Sequence, residues 1–173
     1  GRTQQILFHL EELFCAGTLK PFPVYLDSPM AIAATRLYQQ HPDLFDEEAR
    51  DLDRRCGAIR QNPHVRTCET AGESMALNDA PGPCLIMAGA GMCNAGRILH
   101  HLRHGLWRAE TVVLIVGYQA EGSLGRLLVD GAKEVSIFGE KIAVKAAIHT
   151  LNGFSAHAGQ GELLDWFNHL APS

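Results

Sequence analysis

Residues 84–116 read CLIMAGAGMCNAGRILHHLRHGLWRAETVVLIV, and their pattern decides the fold. Cys84-Leu85-Ile86-Met87-Ala88 is a continuous apolar run of strand length, closed by the loop Gly89-Ala90-Gly91. Helical spacing follows, predicting a helix from about Asn94 to His104. Thr111 to Val116 is the most hydrophobic run in the chain and predicts a central strand. Uninterrupted apolar strands joined by helical crossovers belong to a parallel sheet covered on both faces.

The same alternation extends outward. Ile6, Leu7, Leu10, Leu13 and Phe14 lie at helical spacing, and Gly17, Pro21 and Pro23 end that helix. Val24-Tyr25-Leu26 is a short buried strand. Ser28 followed by Pro29 is an N-terminal helix signal, so a second helix runs from Pro29 to about Gln40. Residues 43–55 are charged and helical, with the cap at Asp43 or Asp46. Val65 to Cys68 is a strand candidate, and residues 72–78 suit a short helix. Ser123 caps a helix to about Asp130. Glu134–Phe138 and Ile142–Thr150 read as a β-pair around Gly139-Glu140, and residues 160–170 form a last helix. The expected fold class is α/β, a mostly parallel sheet with helices on both faces and a small β-pair near the C-terminus.

Composition sets outer bounds. The 173 residues carry 46% hydrophobic and 20% charged side chains, as an ordinary globular domain does. A disordered tail, a collagen-like fibre and a coiled coil are excluded. No run approaches the roughly 20 apolar residues of a membrane helix. The net charge of −4 argues against a general nucleic-acid coat protein, while leaving room for a local basic groove. Five cysteines without a C-x-x-C predict free thiols and a cytoplasmic setting. The chain opens Gly1-Arg2-Thr3 without Met, so an excised piece of a longer protein is expected.

Three loops precede helices at strand ends, where backbone N–H groups favour an anion. They are Asp27-Ser28-Pro29-Met30, Gly89-Ala90-Gly91-Met92 and Gly117-Tyr118-Gln119-Ala120-Glu121-Gly122. Turns of this kind also favour Gly and Ser for purely structural reasons. Neither a P-loop nor a dinucleotide fingerprint is complete, since position 94 is Asn. Arg97, His100, His101, Arg103, His104 and Arg108 would give a helix a modestly basic face, suited to a polyanion. His100 and His104 copy half of the zinc pattern H-E-x-x-H, but residue 101 is His, and two ligands do not close a site. His157, between small residues in a turn before the last helix, is placed as a general acid or base would be. A lone turn His is usually no more than a solvated side chain.

Four blocks together resemble a known family. They are Val24-Tyr25-Leu26-Asp27-Ser28-Pro29-Met30-Ala31, Gly91-Met92-Cys93-Asn94-Ala95-Gly96-Arg97 with His100-His101-Leu102, Gly117 to Gly125, and Gly153-Phe154-Ser155-Ala156-His157-Ala158. In this order they resemble the β-CASP subfamily of metallo-β-lactamase-fold nucleases. The resemblance implies an α/β cap on a metallo-β-lactamase domain, with RNA threading between the two. It implies that residues 1–173 are the β-CASP domain alone, without the domain that binds two zinc ions in the parent. The H-x-H-x-D-H motif of that domain is absent from this sequence, so no metal is expected in this piece. By resemblance His157 is catalytic, and Ser28, Gly91, Met92, Arg97, His101 and Ser155 face RNA or its phosphates. The implied parent is a zinc-dependent ribonuclease of which this piece alone is inactive. Its implied partners are RNA and the metallo-β-lactamase domain of the same chain, with a homodimer left open and no membrane. The alternative is an α/β module that binds a polyanion or a small phosphorylated ligand without catalysis.

Overall fold

The computed structural model describes residues 1–57, 62–151, 153–154 and 158–170. Helix α1 (Arg2–Cys15) leads into strand β1 (Val24–Asp27) and helix α2 (Pro29–Gln40). Helix α3 (Glu47–Cys56), strand β2 (Val65–Thr67), helix α4 (Ala71–Ala76) and strand β3 (Leu85–Ala88) complete the first half. The second half runs α5 (Ile98–Gly105), β4 (Val112–Ile115), α6 (Leu124–Val129), β5 (Glu134–Ile137), β6 (Glu140–Ala143), β7 (Ala147–Thr150) and α7 (Gln160–Leu170).

The first sheet has the order β2-β1-β3, all parallel, with Val24 aligned to Val65 on one side and Leu85 on the other. Val24 and Leu26 are fully buried at its centre. The helix signals read from sequence act as expected. Ser28 Oγ accepts the Ala31 N–H at 3.4 Å with Pro29 at the first helical position, and Asp46 caps α3 through the Ala49 N–H at 2.9 Å. Thr70 and Glu73 form a reciprocal capping box on α4, in which Thr70 Oγ1 accepts the Glu73 N–H and the Glu73 carboxylate accepts the Thr70 N–H.

The second half packs round its own core of Leu102, Leu106, Ile115, Leu128, Val135 and Ile137. Here three expectations change. The predicted β-pair is real only as far as Ala143: β5 and β6 form an antiparallel hairpin turning through Phe138 and Gly139, both at positive φ. The backbone N–H groups of Lys145 and Ala146 then bond to the carbonyl of Leu106 at 2.8 and 3.0 Å. That redirects the chain, and β7 leaves the hairpin to lie parallel to β4, with Val112 opposite Ala147. Strand β4 therefore pairs only with β7 among the described residues, and its Val112 and Leu114 side chains are 56% and 45% exposed. It is apolar on both faces, yet only one is covered here.

The third change concerns the cysteines. Cys15 and Cys56 form a disulfide that joins the C-terminal ends of α1 and α3, with a Cα–Cα distance of 6.2 Å. The helix ends lie within bridging range, although the two residues are 41 positions apart and share no motif. Cys68, Cys84 and Cys93 are free, as expected of all five.

Candidate nucleic-acid interface

Parallel strands deliver their following loops to one edge, and ligands of open α/β sheets bind there. At the C-terminal end of β1 stands Asp27, completely buried. Ser74 Oγ donates to its Oδ2 at 2.6 Å, and His101 Nε2 lies 2.6 Å from the same oxygen. Arg97 Nη1 donates at 2.6 Å to Oδ1 and at 2.7 Å to the carbonyl of Cys68, while Nη2 donates at 2.9 Å to the carbonyl of Glu69. Arg97 stands at the N-cap position of α5 and His101 follows one turn later, so both side chains leave the same helix face. One carboxylate thus ties together the ends of β1 and β2, helix α4 and the start of α5. Burial alone would raise the Asp27 pKa. Hydrogen bonds to Ser74, His101 and Arg97 outweigh it and hold the carboxyl below its ordinary value. Cys68 feels the opposite balance: burial, then the nearby Asp27 and Glu73 charges, push its thiol up.

The loop after β3 closes on itself before α5 begins. Ala90 N–H bonds to the carbonyl of Ala95, and Ile98 N–H to that of Gly89, at 3.2 Å each. Gly96 is required at the crossing. Its φ is +78°, and a Cβ there would lie 2.7 Å from the Gly89 carbonyl oxygen. Gly96→Ala is expected to cost about 1–2 kcal/mol from the left-handed backbone alone. The check is a thermal melt of the variant, and an unchanged Tm would show that the loop relaxes freely.

This loop is stitched to the one after β4. Gln119 Nε2 donates to the carbonyl of Gly91 at 2.9 Å and to that of Tyr118 at 3.0 Å. Gly125 N–H bonds to the carbonyl of Met92 at 3.1 Å. Asn94, expected inside the helix, instead accepts the Leu124 N–H at 2.8 Å and caps α6 together with Ser123. This is why α5 starts at Ile98. On the far side of the loop after β4, Arg2 Nε donates to the carbonyl of Phe154 at 3.2 Å, and the Phe154 ring meets His9 edge-on.

The edge thus gathers the first three blocks that carry the resemblance, with Phe154 of the fourth beside them. The Beta-Casp domain family model matches residues 3–128, more than half of the chain. The chain belongs to the Beta-Casp family. A second model, the Zn-dependent metallo-hydrolase RNA specificity domain, matches residues 141–173 of this β-CASP chain, from β6 onward. Ribonuclease TTHA0252 of Thermus thermophilus is 42% identical over 166 residues, which cover 95% of the chain and 38% of that protein. An RNase J-like protein of Methanocaldococcus jannaschii is 31% identical over 98% of the chain and 38% of its own length. Transcription termination factor FttA of Methanosarcina mazei is 29% identical over 99% of the chain and 28% of its own length. The β-CASP chain therefore spans between about a quarter and two fifths of these relatives.

Within this β-CASP chain the expected site residues part company. Gly91 and Met92 lie exposed on the edge, with only their carbonyls engaged. Ser28 sits beside Gly89, at the start of the same loop: a Cβ on Gly89 would lie 3.7 Å from its Oγ. Arg97 and His101 are turned inward to Asp27, so the structure gives them a binding partner within the fold rather than an open face. Two more residues of the expected basic face are also partnered. Arg103 makes a two-pronged bond to Glu140 at 2.8 and 2.7 Å, and His100 stacks on Phe138. Ser155 and His157 lie outside the described residues. Sequence reasoning missed Ser74, Gln119 and the central role of Asp27. The one available signal was an acidic residue immediately after a buried strand. Among the described residues no group of three or more His, Cys, Asp or Glu side chains converges to hold a metal. The described residues therefore offer no set of ligands for the zinc that the second family model names.

Proposed function

We propose that this β-CASP domain is the RNA-binding cap of a longer zinc-dependent ribonuclease, working in the cytoplasm. In this reading two zinc ions are held by the metallo-β-lactamase domain of the parent, and residues 1–173 alone are inactive. The observation that carries the reading is the shared edge: the loops after β1, β3 and β4 and the Gly153-Phe154 segment belong to the strand ends where ligands bind. The names of the relatives, two ribonucleases among them, support RNA as the ligand.

Roles divide along the geometry. Ser28, Gly91, Met92 and Ser155 are proposed to meet the RNA backbone. Arg97 and His101 act through Asp27 as positioning residues that fix the Gly91-Met92 loop. His157 is proposed to hold a proton beside the scissile phosphate and give it to the departing oxygen. An uncovered apolar surface supports a companion domain. Val112 and Leu114 on β4 are exposed, as are Leu163, Leu164, Trp166 and Phe167 on α7, which buries none of its residues here. Apolar area of this extent marks an interaction surface.

The test compares the parent with residues 1–173. The parent is expected to bind labelled single-stranded RNA, to carry two equivalents of zinc by metal analysis, and to cleave. The piece is expected to do neither of the last two. Metal-dependent cleavage by the piece, or a parent that ignores RNA, overturns the reading. A parent that grips RNA and contains no zinc favours the alternative of a binding module.

A further inference from the structure

A cleft of about 300 Å3 opens between the loop after β4 and the segment after β7. Its walls include Gly117, Tyr118, Thr150, Leu151 and Phe154, with Val129 of α6 behind them. We infer that this cleft receives a single nucleobase of single-stranded RNA, stacked on Tyr118. The inference rests on the RNA-binding reading above and narrows it to one subsite.

Size and lining agree with a flat heterocycle. The volume lies at the lower end for small-molecule sites, which combine apolar walls with a few polar groups. Tyr118 is 73% exposed, so its ring face is open to a ligand. A base offers a π-face to such a ring whatever its identity, so stacking there is sequence-tolerant.

Charge places the base inside and the phosphate at the mouth. Arg126, on the cleft wall, is bound to Asp130 at 2.9 and 2.8 Å, which cancels its charge locally. The interior thus favours a neutral heterocycle over an anion. Arg2 stands where the two loops meet, bonded to the Phe154 carbonyl. A Cβ on Gly117, whose φ of +131° favours glycine, would come within 3.1 Å of the Arg2 guanidinium carbon, so Arg2 packs closely on that loop. Arg2 brings a positive charge beside two lining residues, where a backbone phosphate follows the base. Phe154 precedes His157 by three residues.

The experiment uses the full-length parent and a fluorescent single-stranded oligouridylate, intact or with one abasic position moved along the strand. Tyr118→Ala is expected to weaken binding about ten-fold, and Tyr118→Phe to stay within about two-fold of wild type. One abasic position should cost the wild-type protein about the same ten-fold and cost Tyr118→Ala nothing further, the signature of a coupled pair. Tyr118 is exposed, so the Ala variant keeps the wild-type Tm. Wild-type affinity in Tyr118→Ala, with RNA binding intact, overturns the subsite and leaves the RNA reading standing. Additive losses from the variant and the abasic position do the same. No binding of the oligonucleotide by the wild-type parent overturns both.

Discussion

Replacing Asp27 by Ala is expected to lower the unfolding free energy by about 3–5 kcal/mol, the range for removing one partner of a buried ion pair. The effect is large because the carboxylate is wholly buried and answers three side chains at once. Without it, Arg97 keeps two backbone carbonyls and loses its counter-charge. Ser74 and His101 lose their acceptor in a site closed to water. Asp27→Asn keeps the shape and one acceptor oxygen, so a smaller loss separates charge from packing. Urea unfolding at neutral pH measures both, and an Asp27→Ala loss below about 1 kcal/mol would refute the central role given to this residue.

The same group sets an acid limit. Its carboxyl lies below the ordinary value in the folded protein. Protons therefore bind the unfolded chain more readily than the folded one. The stabilisation is fully present above the unfolded value of 3.8 and drains away as pH falls through the lower folded value. Wild-type stability should fall in that window, and Asp27→Asn should fall less steeply there. A parallel pH profile for the two proteins would place the acid sensitivity elsewhere.

In the full-length parent, His157→Ala is expected to slow RNA cleavage by about 100- to 10,000-fold, the usual range for a general acid or base. The loss should fall on kcat. RNA affinity and zinc content should stay at wild-type values, because the proposed task is proton transfer rather than grip or metal binding. Single-turnover cleavage with saturating enzyme reads the chemical step directly. Wild-type turnover in the variant ends the proposed role. A loss confined to KM would convert His157 into a binding residue.

Local signals were legible from the chain and long-range ones were not. Ser28, Asp46 and Ser123 cap helices because a side-chain oxygen within three residues decides each case. The apolar runs at β1, β3 and β4 announce strands for the same local reason. Nothing local says that β7 will abandon β6 for β4, because the two carbonyl bonds at Leu106 that redirect it span some 40 residues. The Asp27 cluster draws on residues 47, 70 and 74 positions away. A basic helix face read from spacing alone therefore looked open, when Arg97, His101 and Arg103 each had a carboxylate waiting in another segment. Cys15 and Cys56 carry the same lesson.

The loop after β3 has a mechanical meaning. Among the described residues, the β2-β1-β3 sheet and the β4-β7 pair share no strand. Gly91, Met92 and Asn94 fasten one half to the other through Gln119, Gly125 and Leu124, and they do so at the loop edge. The protein is clasped at the edge proposed to meet RNA, like a pair of tongs riveted near the jaws. A polymer pulled across that edge loads both halves through the same three bonds, and the grip of one loop cannot loosen without being felt in the other.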